Sequence, residues 1–385
     1  MRITIFDGLR GFFLVFMTIN HLNAILHTMI GRVTPGALGF VENAHGFVLM
    51  SGLVVGLVYG KRLLRQGAEA LDDAILARMR TIWTWHVLLV LLFMASSIAF
   101  ATAAPSVLVG YSADAIGLPL ASLLLVSGSE HMGILPMYLW FMLVTPVVLR
   151  AFARGEMRFV IAVSAALWLF AQSGAGQELA TRAEIWFAAH GYTSGFGLFF
   201  NVFGWQAVFF AGLAIGWLLA EGRLSLDWLT GRVAMVALVA FVALFALDRL
   251  VNDGFLNAEW QAKLAPFVHR GNFGLVHLVS TVVDAILLTW LIAKGGNSPL
   301  YVIRRSQSAI QRLLNFPPLV RLGQHSLQIF AAHLPLVYLV RSLHEAGTLP
   351  TWSGSLIIVA SPFYLYAIAL LHEAAKRPRR VQTAA

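Results

Sequence analysis

A chain of 385 residues in which 59% are hydrophobic and only 12% charged lacks the polar side chains needed to cover a water-facing surface, so a soluble globular enzyme is excluded and a lipid-embedded protein fits. With no cysteine there is no disulfide framework, no thiolate metal site and no cysteine nucleophile. The formal charge of +9 sits in short clusters between apolar runs and not in one basic stripe, which argues against a nucleic-acid partner and for charge that orients helices in a bilayer.

A bilayer core of about 30 Å takes roughly 20 apolar residues per helix, and runs of that kind recur along the chain. They fall at 8–27, 40–60, 82–104, 133–150, 157–172, 201–220, 232–250, 272–293, 322–341 and 353–373. The fold class that follows is all-α: a polytopic integral membrane bundle of about ten transmembrane helices. The first run carries polar residues and no small-residue cleavage pattern, so it reads as a retained span, not a signal peptide. The stretch 116–127 is too short to cross and reads as a re-entrant or interfacial helix. No repeat or polar linker interrupts the chain, which gives a single membrane domain over 1–375 and a short basic tail at 376–385.

An even number of spans returns both termini to one side. The loops on that side carry twenty Lys and Arg residues and the opposite loops six, with Arg10 set aside. Positive loops stay inside, so both termini are expected in the cytoplasm. The longest outer segments, 105–132, 173–200 and 251–271, hold Trp186, His190, Tyr192, Trp260 and His269, a mixture that suits either a sugar surface or an interfacial aromatic belt. Gly52, Gly56 and Gly60 recur at four-residue intervals, as do Gly212 and Gly216, leaving smooth strips for close helix packing.

Polar groups inside the spans carry the chemistry. A charge in hydrocarbon costs roughly 2.5–3.5 kcal/mol on insertion scales, so such groups are paired or functional. The first span holds Asp7, Arg10, Asn20, His21 and Asn23. At about 100° per residue, Arg10 and His21 lie only about 20° apart around the helix and roughly 16 Å apart along it. Asp7, three residues before Arg10, can reach it as an ion pair. One face thus presents a cation near the inner leaflet and an imidazole deeper in, and a neutral imidazole can take a proton from a hydroxyl. Further polar candidates for a shared cavity are His45 and Ser51, Asn201, Trp205 and Gln206, His277 and Asp284, and Gln324, His325, Ser326, Gln328 and His333. The adjacent His325 and Ser326 point about 100° apart on a helix, which argues against a serine nucleophile activated by that histidine. No His-x-x-x-His, His-Glu-x-x-His or Asp-rich run lies in the spans, so no metal site is expected, and no Walker loop or GxGxxG is present.

The strings FDGLRGFFLVFMTINHL, GFVLMSGLVVGLVYGKRL, LPMYLWFMLVTPVVL, NVFGWQAVFFAGLAIG and LGQHSLQIFAAHLP occur in this order. Together they resemble the OpgC family of membrane proteins, which succinylate osmoregulated periplasmic glucans. The resemblance implies an acyltransferase of the bacterial inner membrane. Its co-substrate would be cytoplasmic succinyl-CoA or another acyl-CoA, its acceptor a periplasmic glucan hydroxyl, and it would hold no permanently bound cofactor. The wider acyltransferase-3-like superfamily has an Arg, ten residues and a His in its first span, matched here by Arg10 and His21. Where the family has Leu-Asp-Phe-x-Arg-Gly, this chain reads Phe6-Asp7-Gly8-Leu9-Arg10-Gly11.

His21 is then expected as general base or transient acyl carrier, with Arg10 and Asp7 holding the donor. Arg62, Arg65, Arg78 and Arg80 look like the family's donor-side cluster for the phosphates of coenzyme A, and Ser51 is grouped with them. Asn201, Trp205, Gln206, His277, Gln324, His325 and Ser326 are expected at the acceptor or the developing oxyanion. The rival readings are an O-acetyltransferase of another cell-surface carbohydrate and a secondary transporter or flippase. For the last, the prolines show none of the symmetry between two halves that broken transport helices would need.

Overall fold

The computed structural model describes residues 4–100, 106–128, 131–190, 198–350 and 352–376. Tyr192 and the basic tail from 377 onward lie outside them. Among the described residues all regular structure is helical. In chain order the helices are α1 (Thr4–Leu26), α2 (Asn43–Ala99), α3 (Val109–Ala113), α4 (Gly117–Leu123), α5 (Ile134–Ala153), α6 (Met157–Gln172), α7 (Ala175–Ala189) and α8 (Val202–Glu221). They continue as α9 (Gly231–Asn252), α10 (Ala258–Leu264), α11 (Leu275–Lys294), α12 (Tyr301–Leu314), α13 (Pro317–Gln324), α14 (Ser326–Glu345) and α15 (Ser353–Lys376).

Among the described residues eight helices are long and apolar enough to cross a bilayer, or nine when α6 and α7, bent by 55°, count as one span. The sequence led us to expect about ten. The difference lies in α2, whose 57 residues are counted once. A straight helix of that length would run about 85 Å, far beyond a 30 Å hydrocarbon core. Gly67 resolves this, because its φ of 87° and ψ of −177° break the helix into two arms, 43–66 and 68–99. The arms overlap the second and third expected spans, 40–60 and 82–104, the second arm starting well before residue 82. From Gly52 to Gly60 the first arm passes Phe209 and then Trp217, which face Phe141 and Phe152 of the next long helix, α5, in that order, whereas the second arm meets α5 in reverse, Asp72 at Arg150 and then Trp83 beside Trp140. The chain therefore folds back at Gly67. Several helices were not expected from sequence: the short α3 and α10, α7 within 173–200, and α12, which carries Arg304, Arg305 and Arg312 in the expected inner stretch.

The chain divides into two compact units. One comprises Met1–Thr34 and Ala309–Ala385, so it joins the two ends of the sequence. In it α1 packs along α13, α14 and α15. The other comprises Pro35–Ser308. Its centre is the first arm of α2 against α8, where the two glycine strips meet. A methyl built on Gly52 would lie 2.0 Å from the Phe209 carbonyl oxygen, and one on Gly216 2.1 Å from that of Leu53. Backbone lies on backbone, as the glycine spacing predicts. The second arm of α2 is held to α5 by an Asp72–Arg150 ion pair and to α4 by His86, whose Nε2 meets the Ser122 carbonyl at 2.8 Å. Val147, Val236 and Phe363 are each more than half exposed, a surface that lipid accommodates and water does not.

Candidate functional site

In the first unit, two glycines set the rotation of α1. A methyl on Gly8 would sit 1.7 Å from the Leu314 carbonyl oxygen and one on Gly11 2.0 Å from that of Leu319; in return, Gly323 lies against the carbonyl of Asp7. Three residues apart, Gly8 and Gly11 form one face, and only hydrogen there lets the backbones approach so closely. Arg10, between them in sequence, is turned off this face toward α14, where its guanidinium donates to the Ser326 hydroxyl. Asp7 is buried at the same end of α1.

Eleven residues on, the His21 ring stacks on His333 with centroids 5.4 Å apart and planes inclined by 28°. His333 is buried, and its Nδ1 meets the Phe330 carbonyl at 2.5 Å. A carbonyl can only accept, so Nδ1 carries a proton. Arg10 meets Ser326 and His21 meets His333, so α1 and α14 run in the same direction. The rise from 326 to 333 is about 10 Å and that from 10 to 21 about 16 Å; the long arginine side chain spans the difference.

Beside this pair lies a second polar cluster in the same unit. His325 ends α13 while Ser326 opens α14, so these neighbours diverge: Ser326 accepts from Arg10, and His325 turns to α15. His325 Nε2 lies 3.1 Å from Glu373 Oε1, and its Nδ1 lies 2.9 Å from His372 Nδ1. Arg321 Nε shares the Glu373 oxygen at 3.1 Å, and its guanidinium donates to the Tyr366 hydroxyl. Gln324 is exposed. The expected Ser326 and His325 therefore do different things. His333 was expected only as one of several polar cavity residues, although its position two helical turns after Ser326, on the same face, is a signal that could have singled it out.

The remaining candidates lie in the second unit. Asn201 caps α8, accepting from the Phe203 and Gly204 amides, and its Nδ2 donates to Asn272 at 3.2 Å. Trp205 is fully buried and donates to the Gly271 carbonyl at 3.1 Å. Gln206 accepts from the Ser164 hydroxyl and donates to the carbonyls of Ser164 and Phe203. The two contacts with Ser164 hold α6 to α8, while the bond to Phe203 stays within α8. Ser51 is buried in the first arm of α2. Arg62, Arg65 and Arg80 are exposed and Arg78 half-buried, all flanking the break at Gly67. Arg80 also borders an apolar groove of about 300 Å³ lined by Trp83, Leu125 and Trp140 among others.

His277 is buried and belongs to an aromatic cluster: His45 lies 5.0 Å from it, 5.2 Å from Trp205 and 5.1 Å from Phe273, ring centre to ring centre. Glu42 borders the cluster and pairs with Arg270, Oε2 to Nε at 2.6 Å. Burial raises the Glu42 carboxyl above the usual carboxylate range, with Arg270 pulling the other way. Of the outer aromatic residues, Trp186 and His190 stack on each other at 4.1 Å on exposed α7, and Trp260 carries Lys263 over its face at 4.9 Å.

The family described as OpgC protein matches residues 2–377 of the chain. No curated protein and no solved structure matches it.

Proposed function

This chain belongs to the OpgC family, and from that membership, which makes it a transferase of the glucan-modifying kind in a multi-pass membrane protein, we propose a specific reaction. A succinyl group passes from succinyl-CoA on the cytoplasmic side to a hydroxyl of a periplasmic glucan, in the bacterial inner membrane with both termini in the cytoplasm. The glucan hydroxyl gives its proton to His21 as its oxygen bonds to the thioester carbonyl carbon. The tetrahedral intermediate then expels the coenzyme A thiolate, which takes that proton back, leaving an ester on the glucan. Arg10, held by Ser326 and near Asp7, binds the anionic end of the donor. The basic group around Gly67, Arg62, Arg65, Arg78 and Arg80, receives the phosphates.

The observation that carries this reading is the parallel pairing of α1 with α14, which sets Arg10 on Ser326 at one level and His21 on His333 at another. It supports the topology too, since two spans that cross in the same direction need an odd number of crossings between them, as the ten-span plan provides.

The test is incubation of purified protein with labelled succinyl-CoA and glucan. Transfer of label to glucan is expected from the wild type, and a fall of about 10²- to 10⁴-fold from His21→Ala at equal protein level. Undiminished transfer by that variant would remove His21 from the chemistry. Label arriving from acetyl-CoA and not from succinyl-CoA would replace the donor and keep the mechanism.

A further inference from the structure

Glu42, just before α2, His45 in the first turn of α2 and His277 in the first turn of α11 offer one oxygen and two nitrogens that all lie within 4.8 Å of one another. His277 Nε2 faces the Val268 carbonyl at 3.1 Å. That carbonyl can only accept, so Nε2 carries the hydrogen and Nδ1 presents its lone pair. Nδ1 is buried without a hydrogen-bond partner, and so is Nε2 of His45, whose nearest carboxylate oxygen, Glu42 Oε2, is 3.8 Å away. Both histidines are only 3% exposed. In the same turn, Asn43 is 4% exposed with both amide atoms buried and unpartnered. Buried polar atoms are ordinarily satisfied, so this concentration of unsatisfied groups marks a place built for a polar guest.

The geometry points to a divalent transition-metal site, of the zinc type, with Glu42, His45 and His277 as ligands. Two imidazoles and one carboxylate are a known zinc donor set that leaves a fourth position for water. A backbone carbonyl that fixes the second nitrogen of a ligand histidine, as Val268 does for His277, is the usual outer support of such a site. With metal bonds of about 2.0–2.2 Å, tetrahedral ligand atoms lie roughly 3.4 Å apart, so separations of up to 4.8 Å must close by up to about 1.4 Å. Glu42, the least buried of them, has the freedom to do this. The groups around the site are Arg270 on the Glu42 carboxylate, with His269 and Asp248 also acting on His277. Arg270 is half exposed and competes with a cation for the same oxygen. A bound metal would pin the start of α2 to the start of α11.

The test needs no transferase assay, so its failure leaves the acyl-transfer reading standing and the reverse also holds. Detergent-purified wild-type protein, stripped with chelator and dialysed against zinc, is expected to retain one zinc per chain by elemental analysis. Added zinc should raise its unfolding temperature, reversibly with chelator. His45→Ala and His277→Ala should each weaken zinc binding at least tenfold. Arg270→Gln, at an exposed position that leaves the fold intact, should tighten it several-fold. Zinc retention in the wild type no greater than in the His45→Ala/His277→Ala double variant, or no shift of the wild-type unfolding temperature with zinc, would overturn the site.

Discussion

Arg10 and Ser326 are 316 residues apart in sequence, yet the guanidinium donates to that hydroxyl. A hydrogen bond to a charged group contributes about 1.5–3 kcal/mol. If Arg10 holds the anionic donor, losing its partner should misplace it without removing the charge. Ser326→Ala is therefore expected to lower kcat/KM by roughly 10- to 100-fold through weaker transition-state binding, and Ser326→Thr, which keeps the hydroxyl, to recover most of it. Equal activity in all three proteins would show that the bond has no part in turnover. Arg10 and His21 were legible from sequence because they share one helix, where periodicity alone puts them on one face. His333 and the Glu42–His45–His277 group were not, because their partners come from distant helices. No spacing rule connects His45 in α2 with His277 in α11, so a scan for local metal motifs passes over them.

At the level of helices, the apolar runs predicted positions well and breaks poorly. Each expected span overlaps a helix, but 322–341 straddles the break between α13 and α14 and 82–104 runs past the end of α2; the glycine that divides α2 looks in sequence like any other residue of a charged stretch. The short 116–127 run does become a seven-residue helix, α4. The glycine strips were legible because four-residue spacing has one physical use in lipid, the close approach of backbones. Their energetic weight follows from the contacts: a side chain on Gly216 would drive into the Leu53 carbonyl. Gly216→Leu should cost about 3 kcal/mol or more, the upper range for overpacking, and be read as loss of the monodisperse peak in detergent chromatography. Gly231→Ala is the control, since nothing lies within 4 Å of a methyl there; it should leave the peak unchanged.

For the molecule as a whole, composition demands lipid, and the uneven spread of Lys and Arg predicts an orientation with both termini inside. Orientation has a direct test, because the chain has no cysteine and each introduced one can be read alone. Gln66→Cys, beside the break in α2, should resist a membrane-impermeant maleimide added to spheroplasts and react after lysis. Asp253→Cys, after α9, should react from outside. The opposite pattern would invert the topology, and with it the side from which the donor enters. What composition could not reveal is the division into two units, because the unit that carries Arg10 and His21 takes its helices from both ends of the chain.

That division has a consequence for biosynthesis. When α1 leaves the ribosome and enters the bilayer, the strand that will bear Ser326 and His333 has yet to be translated. The guanidinium and imidazole of a nascent first helix must wait in lipid, or in the insertion machinery, until α14 arrives, and such distant pairing folds slowly. Chains truncated before residue 326 would keep that polar face unpaired and become substrates for membrane quality-control proteases, so the last sixth of the coding sequence governs whether the first helix survives.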